Sequence, residues 1–414
     1  MLSVRDAENI IFDLVQPLNT EKDENIEIVD LFDANGRILA HSVVSNLDFP
    51  HWDNSAMDGY AVRYADVQEC SRDKPVNLQI VEDIPAGYQP QITIQPGQAA
   101  RIFTGAVMPQ GADTIVMQEN TRREENRVAI LTAPKPEEFV RKRANYYQAG
   151  NPLLAAGIEL KAAEIAILAA AQCPQIKVYR KLKVAILSSG DELVTPNQPL
   201  QPGQIVDSNQ YALAALVQQM GAEPLMLGII KDEPEALKEA ISNAINNADI
   251  VLSSGGVSVG DYDYVEQIIE SLGGEIHVRS VAVKPGKPLT VATFPSTSSF
   301  TTLYFGLPGN PGSALVTFWR FVKPAIQKFS GLAEGWKPEF LQAESLHDLR
   351  SNGKRETYIW GNLKVNNGAY QFQVAGGSQS SGNLINLAQT NALAVIPVGQ
   401  KLINKGEKVQ VFLL

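Results

Sequence analysis

Residues that build disulfide or metal frameworks are scarce in this sequence. It contains two cysteines and four histidines in 414 residues. Cys70 and Cys173 lie far apart and form no CxxC pattern, so a disulfide framework is not expected. The histidines show no spacing that is typical of a metal site. No Ser/His/Asp or Cys/His arrangement is recognisable, which argues against an acyl-transfer hydrolase.

Long hydrophobic runs and blocks of positive charge are also missing. No stretch approaches the ~20 uninterrupted apolar residues that a membrane span requires. The net charge is −10 and there is no basic tail, which argues against nucleic acid or an anionic membrane as the main partner. Asp6, Glu8 and Asp13 near the start are unlike a secretory signal or an Arg-rich transit peptide. We therefore expect a cytoplasmic protein.

The composition is that of a folded protein with several domains, since 44% of the residues are apolar and 19% are charged. The segment Ser3–Pro17 predicts an amphipathic helix that is capped by Ser3 and Asp6. From about residue 48 to 140, short apolar runs alternate with Pro/Gly turns, which predicts a small β-rich domain. A second helical stretch at Ala162–Gln172 suggests that this β domain is inserted into a discontinuous first domain.

Residues 181–330 alternate between strand-like and helical patterns. The predicted strands are Val184–Leu187, Leu225–Ile230, Ile250–Leu252, Val278–Val283 and Leu303–Phe305. The predicted helices are Asn209–Met220 (capped by Ser208 and ended by Gly221), Glu233–Asn247, Tyr262–Leu272 and Gly312–Phe329. This alternation predicts a largely parallel sheet covered by helices. The last stretch, from about residue 331, returns to short strands and predicts a small barrel or sandwich.

Four unusual loops follow predicted strands of the α/β part, at residues 188–192, 253–256, 284–287 and 306–311. Ligands of open α/β sheets bind beyond the carboxyl ends of the strands, and loops after parallel strands share one rim. The glycine- and serine-rich segment 253–260 precedes a helix and could bind phosphate, or it could be a turn without a ligand. Its spacing matches neither a P-loop nor a Rossmann motif.

Charged side chains cluster on these loops. Carboxylates at Asp191, Glu192, Asp232, Asp261 and Asp263 could hold Mg²⁺ together with phosphate oxygens, although each alone could equally be a helix cap or a solvated side chain. Lys284 and Lys287 bracket a Pro-Gly turn and suit a tetrahedral oxyanion, with a solvated turn as the alternative. Asn310 and Pro311 are adequately explained as the start of a helix.

Six longer motifs go beyond these local patterns. They are DNSAMDGYAV at 53–62, TGAVMPQGAD at 104–113, SGDEL at 189–193, SGGVSVG at 254–260, KPGKP at 284–288 and GLPGNP at 306–311. In these motifs the sequence resembles the molybdopterin molybdenumtransferases, the family of MoeA and of the gephyrin E domain. The resemblance runs from near residue 30 to 330 and continues more weakly in the last domain.

The resemblance implies a multidomain α/β plus β fold. Its parts are an elongated discontinuous domain (1–47 and 141–180), an inserted β domain (48–140), a central MogA-like α/β molybdopterin-binding domain (181–330) and a C-terminal β-barrel-like domain (331–414). It also implies a homodimer whose active site is shared between the subunits. The implied reaction inserts molybdate into adenylylated molybdopterin with Mg²⁺-dependent release of AMP, downstream of a molybdopterin adenylyltransferase.

The same resemblance assigns site residues position by position. Catalytic roles fall on Asp58 and Thr104, contributed by the partner subunit, and on Glu192, Asp232 and Asp263, of which Glu192 and Asp263 would hold Mg²⁺. Binding roles fall on Ser189, Gly190, Ser254, Gly255, Gly256, Ser258, Lys284, Lys287, Pro308, Pro311, Arg355 and Ser378. Within this set, the two lysines would hold molybdate or the terminal phosphate.

Two positions depart from the family patterns. Tyr146 replaces the aspartate of an RxGxD pattern, and an uncharged phenol is a poor Mg²⁺ ligand. Trp360 replaces the second arginine of a GRxxFxRG pattern that begins near Arg355. These departures keep open a paralogue that carries molybdopterin without turnover. A further alternative is a phosphate-ester or nucleotide hydrolase that shares only the α/β domain, which would leave Asp58 and Thr104 without a purpose.

Overall fold

The computed structural model describes residues 1–255, 262–295 and 301–414, except for the side chains of the first two residues of the helix Tyr262–Ser271. It separates into two compact units. The first comprises residues 1–41, 156–165 and 174–414, and the second comprises residues 42–155 and 166–173. The sequence-based division into four domains stays a prediction.

The first unit begins with the predicted amphipathic helix, at Val4–Leu14. Ser3 Oγ accepts a hydrogen bond from the Asp6 backbone N–H (3.1 Å), so the predicted cap is confirmed. Ala7 and Ile11 are buried in the core of the unit. The shorter elements here are the 3-10 helices Asp23–Asn25 and Leu31–Asp33, and the antiparallel strands Ile26–Asp30 and Gln175–Tyr179.

The centre of the first unit is a six-stranded sheet. Its spatial order is Glu223–Ile230, Lys183–Ser189, Ile250–Gly255, Thr301–Leu307, Pro288–Pro295 and Glu275–Ser280. The first four strands are parallel, and the last two pairings are antiparallel. The helices around it are Asn209–Gln219, Pro234–Asn247, Tyr262–Ser271, Pro311–Thr317 and Lys323–Phe329, with a π-helical turn at Phe318–Val322. The predicted parallel sheet covered by helices is therefore confirmed.

Three local predictions for this sheet are wrong. The predicted strand Val278–Val283 is two strands, because Glu275–Ser280 ends in the sheet and Val283–Lys284 pairs with the C-terminal strand Glu356–Asn366. The strand Pro288–Pro295 was not predicted, although its core is apolar. Ser208 makes no side-chain cap; Asp207 does, since its Oδ1 accepts from the Gln210 N–H (3.2 Å).

The C-terminal strands close into a five-stranded barrel, as the sequence predicts. They are Phe340–Ser345, Glu356–Asn366, Ala369–Val374, Ala392–Ile396 and Lys408–Leu413. Closure comes from antiparallel pairing of the second of these strands with the fourth. Short additions to this part are the strands Leu349–Arg350 and Leu402–Ile403 and the helix Leu384–Leu387. Alternate residues of the barrel strands point into a core that includes Phe372 and Val411.

The second unit contains the predicted β domain. Its six-stranded sheet has the order Thr114–Met117, Gly59–Val62, Gln98–Ile102, Val76–Ile84, Arg127–Ile130 and Thr121–Glu124. Short ladders join Asn54–Ser55 to Val140–Arg141 and Val43–Val44 to Pro152–Leu154. The helices are Tyr64–Val67, the 3-10 turn Gln118–Asn120 and Ala162–Ala170, which continues into the first unit. Among the described residues, every helix is too short or too polar to cross a bilayer.

Candidate active site

The carboxyl ends of the parallel strands form one wall of a cleft of about 650 Å³. The strand ends at Ser189, Gly255 and Leu307 meet there because the three strands are in register, Ser189 with Gly255 and Ser254 with Leu307. The site residues Ser189, Gly190, Glu192, Asp232, Ser254, Gly255 and Pro311 all line this first cleft. The expectation that these loops share a rim is therefore confirmed.

Glycine is required where the backbones of these loops touch. Gly255 has φ +91°, and a Cβ placed on it would lie 2.0 Å from the Ser189 carbonyl oxygen. A Cβ on Gly309 would lie 3.5 Å from the Gly255 Cα atom, so the third loop also packs closely. The base of the first cleft is therefore built from backbone that a phosphate or ring system can approach closely.

Carboxylates surround this base. The Ser189 hydroxyl donates a short hydrogen bond to Asp232, which fixes that carboxylate toward the strand end. The Asp232 N–H in turn donates to Asp191 Oδ1 (3.3 Å). The side chain of Glu192 folds over Gly190. A Cβ atom placed on Gly190 would lie 2.6 Å from Glu192 Oε2. Among the described residues, Glu192 makes no side-chain hydrogen bond or ion pair, which leaves its oxygens available to a ligand.

Below the cleft, hydroxyl groups are buried and paired. Ser253 Oγ and Tyr304 Oη lie 2.5 Å apart, and burial raises the pKa of Tyr304 to about 12. Ser254 Oγ lies 3.5 Å from Ser188 Oγ and accepts from the Asn209 amide (3.1 Å). With these partners the hydroxyls serve to hold the strand ends, and none is activated as a nucleophile.

A second cleft of about 700 Å³ lies at the amino end of the strand Pro288–Pro295. It is rich in cationic side chains, because Lys284, Lys287, Arg350 and Arg355 all line it. Both lysines are exposed. Arg355 Nη1 also donates to the Val283 carbonyl oxygen (3.2 Å), which holds the barrel strand against the lysine loop. Asp348 also lines this cleft and pairs with Arg350 (Nη2 to Oδ2, 3.6 Å), and the remaining excess of positive charge suits a tetrahedral oxyanion.

One short segment of the C-terminal part, residues 379–384, lines both clefts. Ser380 and Ser381 face the second cleft, and Gly382 and Leu384 face the first. The Gly312 N–H donates to the Ser381 carbonyl oxygen (2.7 Å) and so fixes this segment to the helix that starts at Pro311. Ser378, the predicted serine, lines neither cleft, since its hydroxyl accepts from the Ser380 N–H (3.2 Å) and points along the turn. The binding role that the family resemblance assigns to Ser378 stays a prediction.

Asp58 and Thr104 lie together in the second unit. Asp58 Oδ1 accepts from the backbone N–H and from the hydroxyl of Thr104, both at 2.7 Å. Both hydrogen bonds lower the pKa of Asp58 below its usual range, and the one from the backbone N–H has the larger effect. The carboxyl is therefore ionised and held in one orientation on an exposed surface.

The remaining predicted residues fall into two groups. Pro308 precedes the residues of its loop that line the first cleft, so only Pro311 of that pair forms the wall. Gly256, Ser258 and the side chain of Asp263 lie outside the described residues. Sequence reasoning missed Asn209, Ser380, Ser381 and Gln379, because serine, glutamine and asparagine in a polar segment give no distinctive pattern.

The two departures occupy different environments. Tyr146 is 66% exposed in the second unit, and its N–H donates to the Phe49 carbonyl oxygen (2.8 Å). Trp360 is fully buried in the main core, and its Nε1 has no partner among the described residues. The backbone N–H of Trp360 donates to Gln379 Oε1 (3.2 Å). Trp360 therefore packs the core and anchors the segment between the clefts, and its side chain presents no charge to an oxyanion.

Three family models match the chain in succession. The MoeA N-terminal region (domain I and II) matches residues 2–171, the probable molybdopterin binding domain matches residues 185–328, and the MoeA C-terminal region (domain IV) matches residues 342–414. A curated molybdopterin molybdenumtransferase from Nostoc sp. is 67% identical over 414 residues, which are 100% of this chain and 94% of the relative. The chain belongs to the molybdopterin molybdenumtransferase family.

Other relatives agree in sequence and fold. A molybdopterin molybdenumtransferase from Synechococcus elongatus is 35% identical and covers 93% of this chain and 94% of its own. Two crystal structures of molybdopterin biosynthesis MoeA protein from Pyrococcus horikoshii align over the whole of this chain, with TM-scores of 0.84 at 28% identity and 0.80 at 31% identity, covering 100% and 99% of their own chains. The chain is a transferase of molybdenum cofactor biosynthesis, which confirms the family, fold class and enzyme class expected from the sequence.

The carboxylates of the first cleft fit a cation that is shared with a bound phosphate. Mg²⁺ in nucleotide sites takes one or two carboxylates and completes its shell with phosphate oxygens and waters. Within the described ranges, no three His, Cys, Asp or Glu side chains converge as a complete metal cage. Among the described residues, Glu192 would hold the cation, because its carboxylate oxygens have no other partner and lie beside the glycine backbone at the base of the first cleft.

Proposed function

We propose that this chain inserts molybdate into adenylylated molybdopterin with Mg²⁺-dependent release of AMP. The observation that carries the proposal is that a glycine-based cleft with carboxylates and a cleft with four cations lie on two sides of one segment, residues 379–384. A phosphoanhydride with its metal suits the first cleft, and a tetrahedral oxyanion suits the second. The family membership makes this pairing of ligands the natural one.

In the first cleft, the backbone around Gly190 and Gly255 would receive the phosphates and the pterin. Asp232, held by Ser189, would orient this ligand, and Glu192 would hold Mg²⁺. When bound, Mg²⁺ neutralises charge on the phosphoanhydride and favours departure of AMP. Most of the rate enhancement is then expected from positioning and electrostatics, as in other phosphoryl chemistry.

In the second cleft, Lys284, Lys287 and Arg355 would hold molybdate until the dithiolene is free. Water would cleave the phosphoanhydride, so that AMP leaves and the terminal phosphate stays on the pterin. The two dithiolene sulfurs would then replace two oxo groups of the molybdate, which leave as water with the two thiol protons and two protons from solvent, and molybdenum cofactor is released. These three side chains supply only charge and hydrogen bonds. Their removal is therefore expected to weaken molybdate binding and not to prevent cleavage of the phosphoanhydride bond itself.

We further propose a cytoplasmic homodimer that shares its active sites. Asp58 and Thr104 form a fixed, ionised surface group that would complete the cleft of the partner subunit. A molybdopterin adenylyltransferase is the class of enzyme that must supply the adenylylated substrate. The hydrolase alternative accounts for the α/β domain only, whereas family matches extend over the regions before and after it.

The test is AMP release by the purified protein from adenylylated molybdopterin and Mg²⁺, with and without molybdate. We expect AMP release with active cofactor only when molybdate is present. Lys287→Ala should raise the molybdate concentration for half-maximal rate by about tenfold or more, the effect of one lost charged hydrogen bond. Lys354→Ala removes an exposed lysine outside both clefts and should change nothing.

Other outcomes would contradict the proposal in distinct ways. AMP release that is equally fast without molybdate would indicate a hydrolase. Tight pterin binding with no AMP release would indicate a carrier, and reversion of Tyr146 to aspartate would then be the first change to examine.

A further inference from the structure

A buried asparagine joins a strand end and a loop that form the first cleft. Asn209 is the first residue of the helix Asn209–Gln219 and is 7% exposed. Its amide nitrogen donates to Ser254 Oγ (3.1 Å) and to the Gly309 carbonyl oxygen (2.8 Å). Ser254 lies at the end of the strand Ile250–Gly255, and Gly309 lies in the loop after the strand Thr301–Leu307. One carboxamide therefore ties both segments to the start of a helix.

Backbone pairing between the two strands reaches Ser254 and Leu307. Beyond that pairing, Gly255 and Gly309 approach each other as bare backbone, without side chains that could interlock. Hydrogen bonds to a buried amide have defined lengths and directions, and a buried acceptor that loses its donor is left unpaired at a cost. The Asn209 amide therefore extends the connection between the two segments past the last paired residues, to Gly309.

Helix capping does not explain this asparagine. Asp207 already accepts from the Gln210 N–H (3.2 Å) and from the Gln210 side-chain amide (3.1 Å), which satisfies the first turn. Both of these acceptors of the Asn209 amide nitrogen lie outside its own helix. The side chain therefore serves the cleft and not the helix.

We propose that Asn209 is a positioning residue for nucleotide binding in the first cleft. It acts through Ser254, Gly255 and Gly309, whose backbone and hydroxyl groups would contact the phosphate and the ring system. This inference rests on the proposed function, which places adenylylated molybdopterin in that cleft. Loss of the amide is expected to impair ligand affinity more than it impairs folding.

The test compares AMP binding by Asn209→Ala and by the wild type, using calorimetry on the full-length protein with Mg²⁺. We expect about tenfold weaker AMP binding, the effect of losing one or two net hydrogen bonds from the preorganised cleft. Asn25→Ala is the matched control, because Asn25 is also fully buried in the first unit and its amide donates to the Asn19 carbonyl oxygen (2.8 Å). The control should lower the melting temperature by a similar amount and leave AMP binding within about twofold.

A double-mutant cycle with Ser254→Ala separates positioning from general damage. If Asn209 acts through Ser254, the double variant should lose less affinity than the product of the two single losses. With adenylylated molybdopterin as substrate, the loss in Asn209→Ala should fall on KM more than on kcat. Should the alanine variant not fold, Asn209→Leu, which has a similar volume and no donor, must show the same loss.

The outcomes distinguish this inference from the proposed function. A wild type that does not bind AMP would overturn both. A wild type that binds AMP, together with Asn209 variants that are folded and bind it equally well, would overturn the inference alone. Fully multiplicative losses in the cycle would also overturn it, because they would mean that Asn209 and Ser254 act independently.

Discussion

A tight constraint at the scale of single residues is at Gly255. A methyl group there would meet the Ser189 carbonyl oxygen at 2.0 Å, and the φ of +91° is unfavourable for any other residue. Gly255→Ala must therefore push the second loop away from the first. We expect the free energy of unfolding to fall by about 3 kcal/mol or more, as for other substitutions that force overlap. Urea denaturation measures this change, and AMP binding should be lost with it.

Gly203→Ala separates the overlap from the backbone conformation. Gly203 has a similar φ of +86° in the same unit, but a Cβ there has no neighbour within 4 Å. Its replacement should cost only the left-handed conformation, about 1 kcal/mol. Equal losses at the two positions would show that the contact with Ser189 is unimportant.

Residue-level prediction from the sequence was most successful where motifs are long and contain glycine. The strand ends at Ser189 and Gly255 and the lysine pair lie in clefts as expected from their loops. Asn209 and Ser381 could not be found in this way, because their roles depend on which loop the fold brings to them. Ser378 was chosen by alignment, and a turn of two residues separates it from the serines that face the cleft.

At the scale of elements, a buried network joins the amino-terminal helix to the barrel. Arg320, in the π-helical turn, donates to the Glu8 carboxylate and, through Nε, to the Tyr358 hydroxyl (2.7 Å). Tyr358 in turn donates to Glu356 Oε1 (2.5 Å), and burial raises its pKa well above the usual value. Since Tyr358 also lines the second cleft, this network supports the strand Glu356–Asn366, which Arg355 directly precedes.

Arg320→Met tests this network. The change keeps an unbranched apolar stem but leaves the Glu8 carboxylate and the Tyr358 hydroxyl without their buried donor. We expect the free energy of unfolding to fall by about 3 kcal/mol, as when one partner of a buried ion pair is removed. Urea denaturation measures it. Lys161→Ala breaks an exposed pair with Glu159 (3.3 Å) in the same unit and should change stability by about 0.5 kcal/mol or less, so equal losses would contradict the argument.

Element prediction succeeded where periodicity was clear and failed where elements meet. The parallel strands and the helices between them were recognised because apolar runs alternate with amphipathic segments. The strand Pro288–Pro295 begins and ends with proline, which is typical of a loop, and its position near the antiparallel edge tolerates this. In the sequence, the segment around Val283 is apolar and continuous with the preceding strand. In the structure it pairs with a strand of the barrel, and such a tertiary contact cannot be predicted from the local sequence.

At the scale of the whole molecule, the site residues that the family resemblance assigns are divided between the two compact units. The clefts belong to the first unit, and the Asp58–Thr104 pair belongs to the second. The family resemblance assigns this pair to the cleft of the partner subunit in a homodimer. A shared site of this kind requires every subunit to contribute two different surfaces. The number of intact sites in mixed dimers can therefore be predicted, which makes the proposal testable without a structure of the dimer.

Mixing two impaired variants, assayed at a molybdate concentration well below that needed for half-maximal rate in Lys287→Ala, tests the shared site. Asp58→Ala would disable the group given to the partner, and Lys287→Ala would weaken molybdate binding in the subunit's own second cleft. After denaturation and refolding of an equal mixture, half of the dimers should be mixed, and each would hold one intact site and one doubly altered site. We expect about a quarter of the wild-type molybdate-dependent AMP release. Each variant refolded alone provides the baseline. No recovery in a mixture that demonstrably contains mixed dimers would place Asp58 at the cleft of its own subunit.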